Sequence, residues 1–246
     1  MGEFTYHPIY KEVEKKNTVI CGVNHVTDPD EDKNERKKFF ECIAECDHLL
    51  FETNGRAGNT SLRNYESLAF SINRKNSRFL EKGFNPPEIY SMYGVPEKIA
   101  LFYETMTATM FALHQNQRAD VNTIISYYHS VYLLDRQQTN KLNQQWGNFI
   151  EFCNRTGNVN AVSQIGILFD NFSRGVRDYE IIGPTAQTLI RELDGRKGIV
   201  IGSLHLNFLY DYLMGREMSA PRSWTHAISE SPLETQTTIR ELESVI

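Results

Sequence analysis

The chain has 246 residues, 40% of them hydrophobic and 23% charged, which is typical of a globular protein long enough to bury a substantial core. Its formal net charge of −5 at pH 7 argues against a broad positive surface, so we expect no nucleic-acid partner. Because the sequence has no run of about eighteen apolar residues and no signal-peptide pattern at its amino terminus, we expect a cytoplasmic protein without a membrane partner.

The amino-terminal part of the sequence predicts a strand, a helix and a second strand. A strongly apolar run at about residues 17–22 is typical of a buried strand, and it leads into a Gly-x-x-His motif that ends at His25. Apolar residues at helical spacing then extend to about Cys46, and the run His48–Phe51 predicts the second strand. A helical connection of this length favours neighbouring parallel strands, so we expect Glu52 to leave its strand at the same edge as His25.

The middle of the sequence changes character twice. Residues 57–95 are rich in turn-forming residues, which favours loops and short helices. From about residue 96 to residue 170, apolar side chains recur every three to four positions, which predicts a helical insert or cap beside the sheet. A further helix is expected over residues 171–193, with a break at Gly183-Pro184. We expect a single α/β domain over residues 1–246.

The last part of the sequence repeats the pattern of the first. The apolar run Gly198–Ile201 predicts a buried strand and leads into a second Gly-x-x-His motif, which ends at His205. A helix is expected over Leu206–Leu213, and the segment Thr225–Ile228 is compatible with one more strand. The glycine of each motif is expected to let the chain turn sharply after its strand. The predicted fold is α/β, with a central, largely parallel sheet of β-α-β units and a helical insert.

Three polar side chains are expected at one edge of this sheet. Open α/β sheets bind their ligands outside the carboxyl ends of the strands, and His25, Glu52 and His205 each follow a predicted strand. Two histidines and a glutamate, completed by water, form a known catalytic zinc shell, and the same ligand types suit iron or manganese. Such a metal lowers the pKa of bound water toward neutrality and polarises a carbonyl group, which favours hydrolysis at pH 7.

The same three side chains also support chemistry without a metal. One histidine then serves as the general base, the other as an acid or oxyanion donor, and the glutamate orients them. The residue types leave the metal-dependent and metal-free alternatives open. The sequence carries no prediction of the oligomeric state.

The chain contains four cysteines, at positions 21, 42, 46 and 153, without Cys-x-x-Cys spacing. Cys42 and Cys46 lie one helical turn apart, which alone is too little for a zinc site. We expect reduced, half-buried thiols.

Taken together, these motifs resemble those of the TraB/PrgY–Tiki family. The resemblance rests on the two Gly-x-x-His motifs, on Glu52 followed four positions later by Arg56, and on the pair Arg177-Asp178 before the last strand. It covers residues 17–56 and 171–214, and Val23 stands where the family commonly has threonine. The family belongs to a superfamily that also contains erythromycin esterase-like hydrolases and a haem-binding, ChaN-like lipoprotein.

The resemblance implies an α/β fold with a helical insert and a peptide as substrate. Tiki members resemble metal-dependent proteases whose site uses both motif histidines and the glutamate, and TraB and PrgY relatives are linked to shutting down peptide pheromones. Erythromycin esterase-like relatives are linked to lactone hydrolysis without a metal. Both catalytic alternatives therefore stay open.

We predict a peptide hydrolase with His25, Glu52 and His205 as its catalytic and metal-binding residues. The expected metal is divalent manganese, cobalt or zinc, if one is bound. The residues expected to contact substrate are Asn24, Arg56 and Arg177. Arg177 and its neighbour Asp178 have two alternative roles, which are to orient the site or to cap their helix. The other open functions are a metal-free esterase or lactonase, an enzyme that modifies a precursor peptide, and a protein that binds a peptide or haem without turnover.

Overall fold

The fold is known from a computed structural model that describes residues 8–23, 30, 32–52, 65–73, 76–114, 134–157 and 159–246. The strands are β1 (Ile9–Val13), β2 (Thr18–Val23), β3 (His48–Phe51), β4 (Ser77–Phe79) and β5 (Lys197–Gly202). The α-helices are α1 (Lys33–Ala44), α2 (Tyr65–Ile72), α3 (Pro86–Ser91), α4 (Glu97–His114), α5 (Arg136–Thr156), α6 (Val159–Arg177), α7 (Gly183–Glu192), α8 (Leu206–Leu213), α9 (Trp224–Ser229) and α10 (Leu233–Val245). A 3₁₀ turn (Glu14–Lys16) follows β1, and a π-helical turn (Asp178–Ile182) joins α6 to α7.

The described strands form one sheet in the order β1-β2-β5-β3-β4. β1 runs antiparallel to β2, whereas the pairs β2–β5, β5–β3 and β3–β4 are parallel. The predicted α/β class with a largely parallel sheet is confirmed. The prediction that the first two apolar strands are neighbours is wrong, because β5 lies between β2 and β3. A helix as long as α1 can cross one intervening strand, so the connection alone does not fix adjacency.

Successive side chains of β2 point to opposite faces of the sheet, and both faces are covered by helices. Val19, Cys21 and Val23 pack with the apolar side of α1, whereas Ile20 packs on the opposite face with residues of α7 and α8. All six residues of β2 and all six of β5 are buried. Strands covered on both faces read as continuous apolar runs, which is why these two were visible in the sequence. The short strand β4 and the edge strand β1 lack such a run and were not predicted.

Helix ends follow local capping chemistry. α1 begins after Asp32, whose carboxylate accepts hydrogen bonds from the backbone of Asn34 and Glu35. α5 ends at Gly157, which adopts the left-handed conformation with a φ of 61° that favours glycine.

Among the described helices, none has the length and apolar character needed to cross a membrane.

The described chain divides into two compact units. One contains the sheet and comprises the described residues up to Phe84 together with Arg177–Ala220, and the other is helical and comprises Asn85–Val176 with Pro221–Ile246. The single-domain description with an insert at about 96–170 stays a prediction. The last segment, from Pro221 onward, belongs to the helical unit.

The prediction of a strand over Thr225–Ile228 is wrong, because α9 occupies this segment. The side chain of Ser223 caps the helix by accepting a hydrogen bond from the backbone of His226. Trp224 is fully buried, and its ring contacts those of Phe169 and Tyr103 at centroid distances of 5.5 Å. The indole therefore anchors α9 in the helical unit by aromatic burial.

Candidate active site

Glu52 and His205 meet at the carboxyl edge of the sheet. Glu52 directly follows β3, and His205 lies three residues beyond β5, immediately before α8. Because β3 and β5 are hydrogen-bonded parallel neighbours, both side chains leave the sheet at the same edge. The Nε2 atom of His205 lies 3.3 Å from the Oε1 atom of Glu52. Two of the three predicted core residues are thus in contact.

The carboxylate of Glu52 is buried and held at both oxygens. Its Oε2 atom accepts a hydrogen bond of 2.7 Å from the backbone N–H of Gly202, the last residue of β5. Its Oε1 atom accepts one of 3.2 Å from the Nη2 atom of Arg177. The side chain is therefore fixed to the neighbouring strand and neutralised by a guanidinium, as a buried carboxylate requires.

His205 is held from its other ring nitrogen by Asp178. The Nδ1 atom of His205 lies 2.5 Å from the Oδ1 atom of Asp178, and both residues are buried. Burial alone would lower the pKa of His205, but the charge of Glu52 and the hydrogen bonds to Asp178 and Glu52 outweigh it and raise that pKa to about 9. At neutral pH the ring is an imidazolium that donates to a carboxylate on each side.

Glu81 extends this network and was not predicted. Its carboxylate accepts from both the Nε atom, at 2.7 Å, and the Nη2 atom of Arg177. Burial raises the pKa of Glu81 to about 7, an effect that the neighbouring guanidinium of Arg177 opposes and the charge of Glu52 reinforces. Arg177 therefore bridges two buried carboxylates, and its guanidinium also lies 5.8 Å from the ring of Phe84.

A π-helical turn places Arg177 and Asp178 at the site. The backbone N–H of Gly183 bonds to the carbonyl of Asp178, five residues earlier, which widens the helix at this point. The predicted break at Gly183-Pro184 is wrong, because the wide turn accommodates Pro184 in the first turn of α7 and the chain stays helical. Turns of this kind occur frequently at functional sites.

Several predicted residues cannot be placed. His25, Asn24 and Arg56 lie outside the described residues. Within the part of the chain that the structure describes, no group of three or more His, Cys, Asp or Glu side chains is arranged to hold a metal ion. The roles of all predicted site residues, in catalysis, metal binding or substrate binding, stay predictions.

Sequence reasoning missed Glu81 and gave Asp178 only an accessory role. Glu81 follows the short strand β4, and the backbone N–H of Leu80 continues the sheet by donating to the carbonyl of Phe51. The sequence around β4 reads as turn-rich, so the only signal was the apolar pair Phe79-Leu80 before a carboxylate. Asp178 belonged to the Arg-Asp pair of the resemblance, but only the fold shows that it reaches His205.

The chain was compared with protein-family models, with curated proteins and with solved structures, and none of them matches it. The resemblance to the TraB/PrgY–Tiki family therefore rests on the quoted motifs alone. The class supported by geometry is an α/β protein with a buried histidine–carboxylate network at the carboxyl edge of its sheet.

Proposed function

We propose that this protein is a hydrolase that acts on a peptide, with His205 and Glu52 as its central groups and His25 as the third. One observation carries the proposal: the Nε2 atom of His205 and the Oε1 atom of Glu52 lie 3.3 Å apart at the ligand-binding edge of the sheet. Buried, interacting titratable groups at such an edge are typical of catalytic sites.

The donor set fits a divalent metal such as zinc, manganese or cobalt. Imidazole nitrogen and carboxylate oxygen are catalytic ligands for these ions. The contact between Asp178 and the Nδ1 atom of His205 resembles the carboxylate–histidine pairing that orients metal-bound imidazoles. His205 and Glu52 would hold the ion together with His25. When bound, the metal would polarise the scissile carbonyl and lower the pKa of its water toward neutrality.

The contacts of the linked groups support the same proposal. Metal ligation requires a neutral imidazole, and the contact of the Nδ1 atom of His205 with Asp178 would keep the ring proton there and leave the Nε2 atom, beside Glu52, for the ion. In this arrangement Asp178 fixes the tautomer of His205, and Arg177 holds Glu52 in place.

A metal-free hydrolase is the second candidate, and the protonation state of His205 favours it. With a pKa of about 9, the imidazolium is the main form at neutral pH and is suited to protonate a leaving group. Glu52, in contact with the ring, would take the proton from the attacking water. This reading suits an ester or lactone, because an alkoxide is a better leaving group than the nitrogen anion of a peptide.

Elemental analysis combined with a peptide-cleavage assay tests the proposal. The purified protein, His205→Ala and the matched control His226→Ala, at an exposed histidine of α9, are analysed for manganese, cobalt and zinc. We expect about one metal per chain in the wild type and in H226A, and loss of the metal in H205A. A mixed peptide library read by mass spectrometry should be cleaved by the same two proteins that retain the metal.

Two results separate the candidates. Cleavage of an ester or lactone panel that survives exhaustive chelation, in a protein without metal, supports the metal-free hydrolase. Recovery of every peptide and ester unaltered, from a folded protein supplied with each metal, contradicts both hydrolase proposals.

Zinc titration of the chelator-treated protein adds a readout that is independent of turnover. Binding must displace the Nε2 proton of His205, so at about pH 7 we expect release of about one proton per zinc ion from this ring. Calorimetry in two buffers with different ionisation enthalpies measures that number.

A further inference from the structure

Cys21 and Cys42 face each other across the interface between the sheet and α1. Cys21 lies in β2 and is fully buried, whereas Cys42 lies on α1 and is half-buried. Their Sγ atoms are 3.6 Å apart. We propose that these two thiols are a reactive pair that a hydroperoxide converts into a disulfide, a modification site separate from the proposed active site.

The two thiols have unequal environments, which assigns their roles. The hydrogen bond from the Cys21 thiol lowers the pKa of Cys42, and Arg196 adds to this effect, whereas burial and Glu12 oppose it. The same hydrogen bond, together with burial, holds the pKa of Cys21 well above its usual range. Because the thiolate is the nucleophile, Cys42 is the attacking sulfur and Cys21 is the resolving thiol.

The reaction proceeds in two balanced steps. The Cys42 thiolate attacks one peroxide oxygen, the O–O bond breaks, and the alkoxide or hydroxide that leaves takes up a proton, which gives a sulfenic acid. The Cys21 sulfur then attacks the Cys42 sulfur, the S–O bond breaks, and the departing oxygen leaves as water with the Cys21 proton. Both thiols are oxidised by two electrons in total, and the peroxide is reduced.

Geometry favours this pair over the other nearby thiol. Closing the distance between the Cys21 and Cys42 sulfur atoms from 3.6 Å to a disulfide bond of about 2.05 Å needs an approach of roughly 1.5 Å. Cys46 lies one turn after Cys42 on the same helix, and its thiol donates to the carbonyl of Cys42. Residues at this spacing have Cβ atoms about 5–6 Å apart, whereas a disulfide requires about 3.5–4.5 Å.

The bond would tie β2 to α1 and close a covalent ring from residue 21 to residue 42, a stretch that includes His25 in the sequence. The proposal does not depend on hydrolysis, since the thiol chemistry is measured directly.

Thiol counting and peptide mapping test the pair. The reduced protein is treated with a small excess of hydrogen peroxide, alkylated and digested. We expect the wild type to lose two of its four thiols and to give a Cys21–Cys42 cross-linked peptide, both reversed by dithiothreitol. Cys153→Ser, at a half-buried cysteine of α5, and Cys46→Ser should give the same cross-link.

Cys42→Ser is the deciding variant, because it replaces the half-buried partner and leaves the core thiol intact. We expect complete loss of the cross-link and retention of all three remaining thiols, with an unchanged circular dichroism spectrum. Four free thiols in the oxidised wild type would overturn the proposal. A cross-link that persists in C42S, or a Cys42 disulfide between two chains on a non-reducing gel, would also overturn it.

Discussion

Asp178 holds the Nδ1 atom of His205 at 2.5 Å, and this contact directs the Nε2 atom of the same ring toward Glu52. The carboxylate reaches the ring because the π-helical turn begins at Asp178, immediately after Arg177. The orientation of His205 is therefore set by a helix that precedes its strand in sequence, as well as by the sheet edge itself.

Asp178→Asn removes the charge beside His205 while keeping the shape of the side chain. The charge of Asp178 and its hydrogen bond both raise the pKa of His205, so we expect that pKa to fall in the variant. Affinity for zinc should fall by about 10–100-fold, as is common when the outer partner of a metal-ligating histidine is removed. NMR titration of His205 and competition with a zinc indicator measure the two effects.

Asp170→Asn is the matched control, because this aspartate lies on α6, the helix that leads into the π-helical turn, is half-exposed and pairs with Arg174. We expect D170N to match the wild type in zinc affinity. An unchanged His205 titration in D178N would show that the short contact does not govern the ring.

The charge of His205 makes stability depend on pH. A histidine whose pKa rises from 6.5 to about 9 on folding stabilises the protein fully below pH 6.5, and this contribution is lost as the pH rises through 9. In metal-free protein we expect the free energy of unfolding to fall by about 3 kcal/mol between these limits. Urea denaturation from pH 6 to pH 9.5 measures the decline.

His205→Asn should abolish the part of the decline above about pH 8, where Glu81 is already ionised, whereas H226A should retain it. In Glu52→Gln the pKa of His205 should move down toward 6.5, because the charge of Glu52 is the largest influence that raises it. A flat profile in the wild type would contradict the assignment of the imidazolium.

Glu81→Gln tests the carboxylate that the sequence did not reveal. The pKa of Glu81 rises from 4.5 to about 7 on folding, so its contribution to stability is present below pH 4.5 and is lost as the pH rises through 7. The wild type should therefore lose about 3 kcal/mol relative to E81Q across this range. Paired melting curves at several pH values measure the difference.

Glu88→Gln, at a carboxylate in the first turn of α3, is the matched control for E81Q. Its melting curves should stay parallel to those of the wild type over the same pH range. A constant offset between the wild type and E81Q would indicate that Glu81 is ionised throughout.

Gly22→Ala probes the first Gly-x-x-His motif. The expectation of a sharp turn at this glycine is wrong, because Gly22 lies within β2 and a Cβ atom there would come 3.0 Å from Leu206. The motif needs glycine because α8 begins directly against the strand. We expect a loss of about 1–3 kcal/mol, measured by urea denaturation, from overpacking.

Gly147→Ala is the opposite case, since Gly147 is exposed in the interior of α5 and a Cβ atom would meet nothing within 4 Å. Alanine there should stabilise the protein by about 0.5–1 kcal/mol. Equal effects of G22A and G147A would contradict the close-approach explanation.

Periodicity in the sequence predicted the elements that are buried on both sides. The runs that became β2, β3 and β5 are visible because, after a polar first residue, the remaining residues of each strand are apolar or glycine, and Leu206–Leu213 is helical as expected. The edge strand β1 and the three-residue strand β4 were missed because each depends on hydrogen bonds to a neighbour rather than on its own pattern.

The sequence by itself determined the α/β class and the position of Glu52 and His205 at strand ends. Both conclusions follow from local apolar runs and from the polar or turn-forming residues that come after them. Only the tertiary structure decided that β5 separates β2 from β3, and that Asp178, Arg177 and Glu81 surround the two predicted groups. The strand order depends on pairing between segments more than a hundred residues apart, and Asp178 and Arg177 contact residues 27 and 125 positions away, so no local pattern in the sequence predicts these contacts.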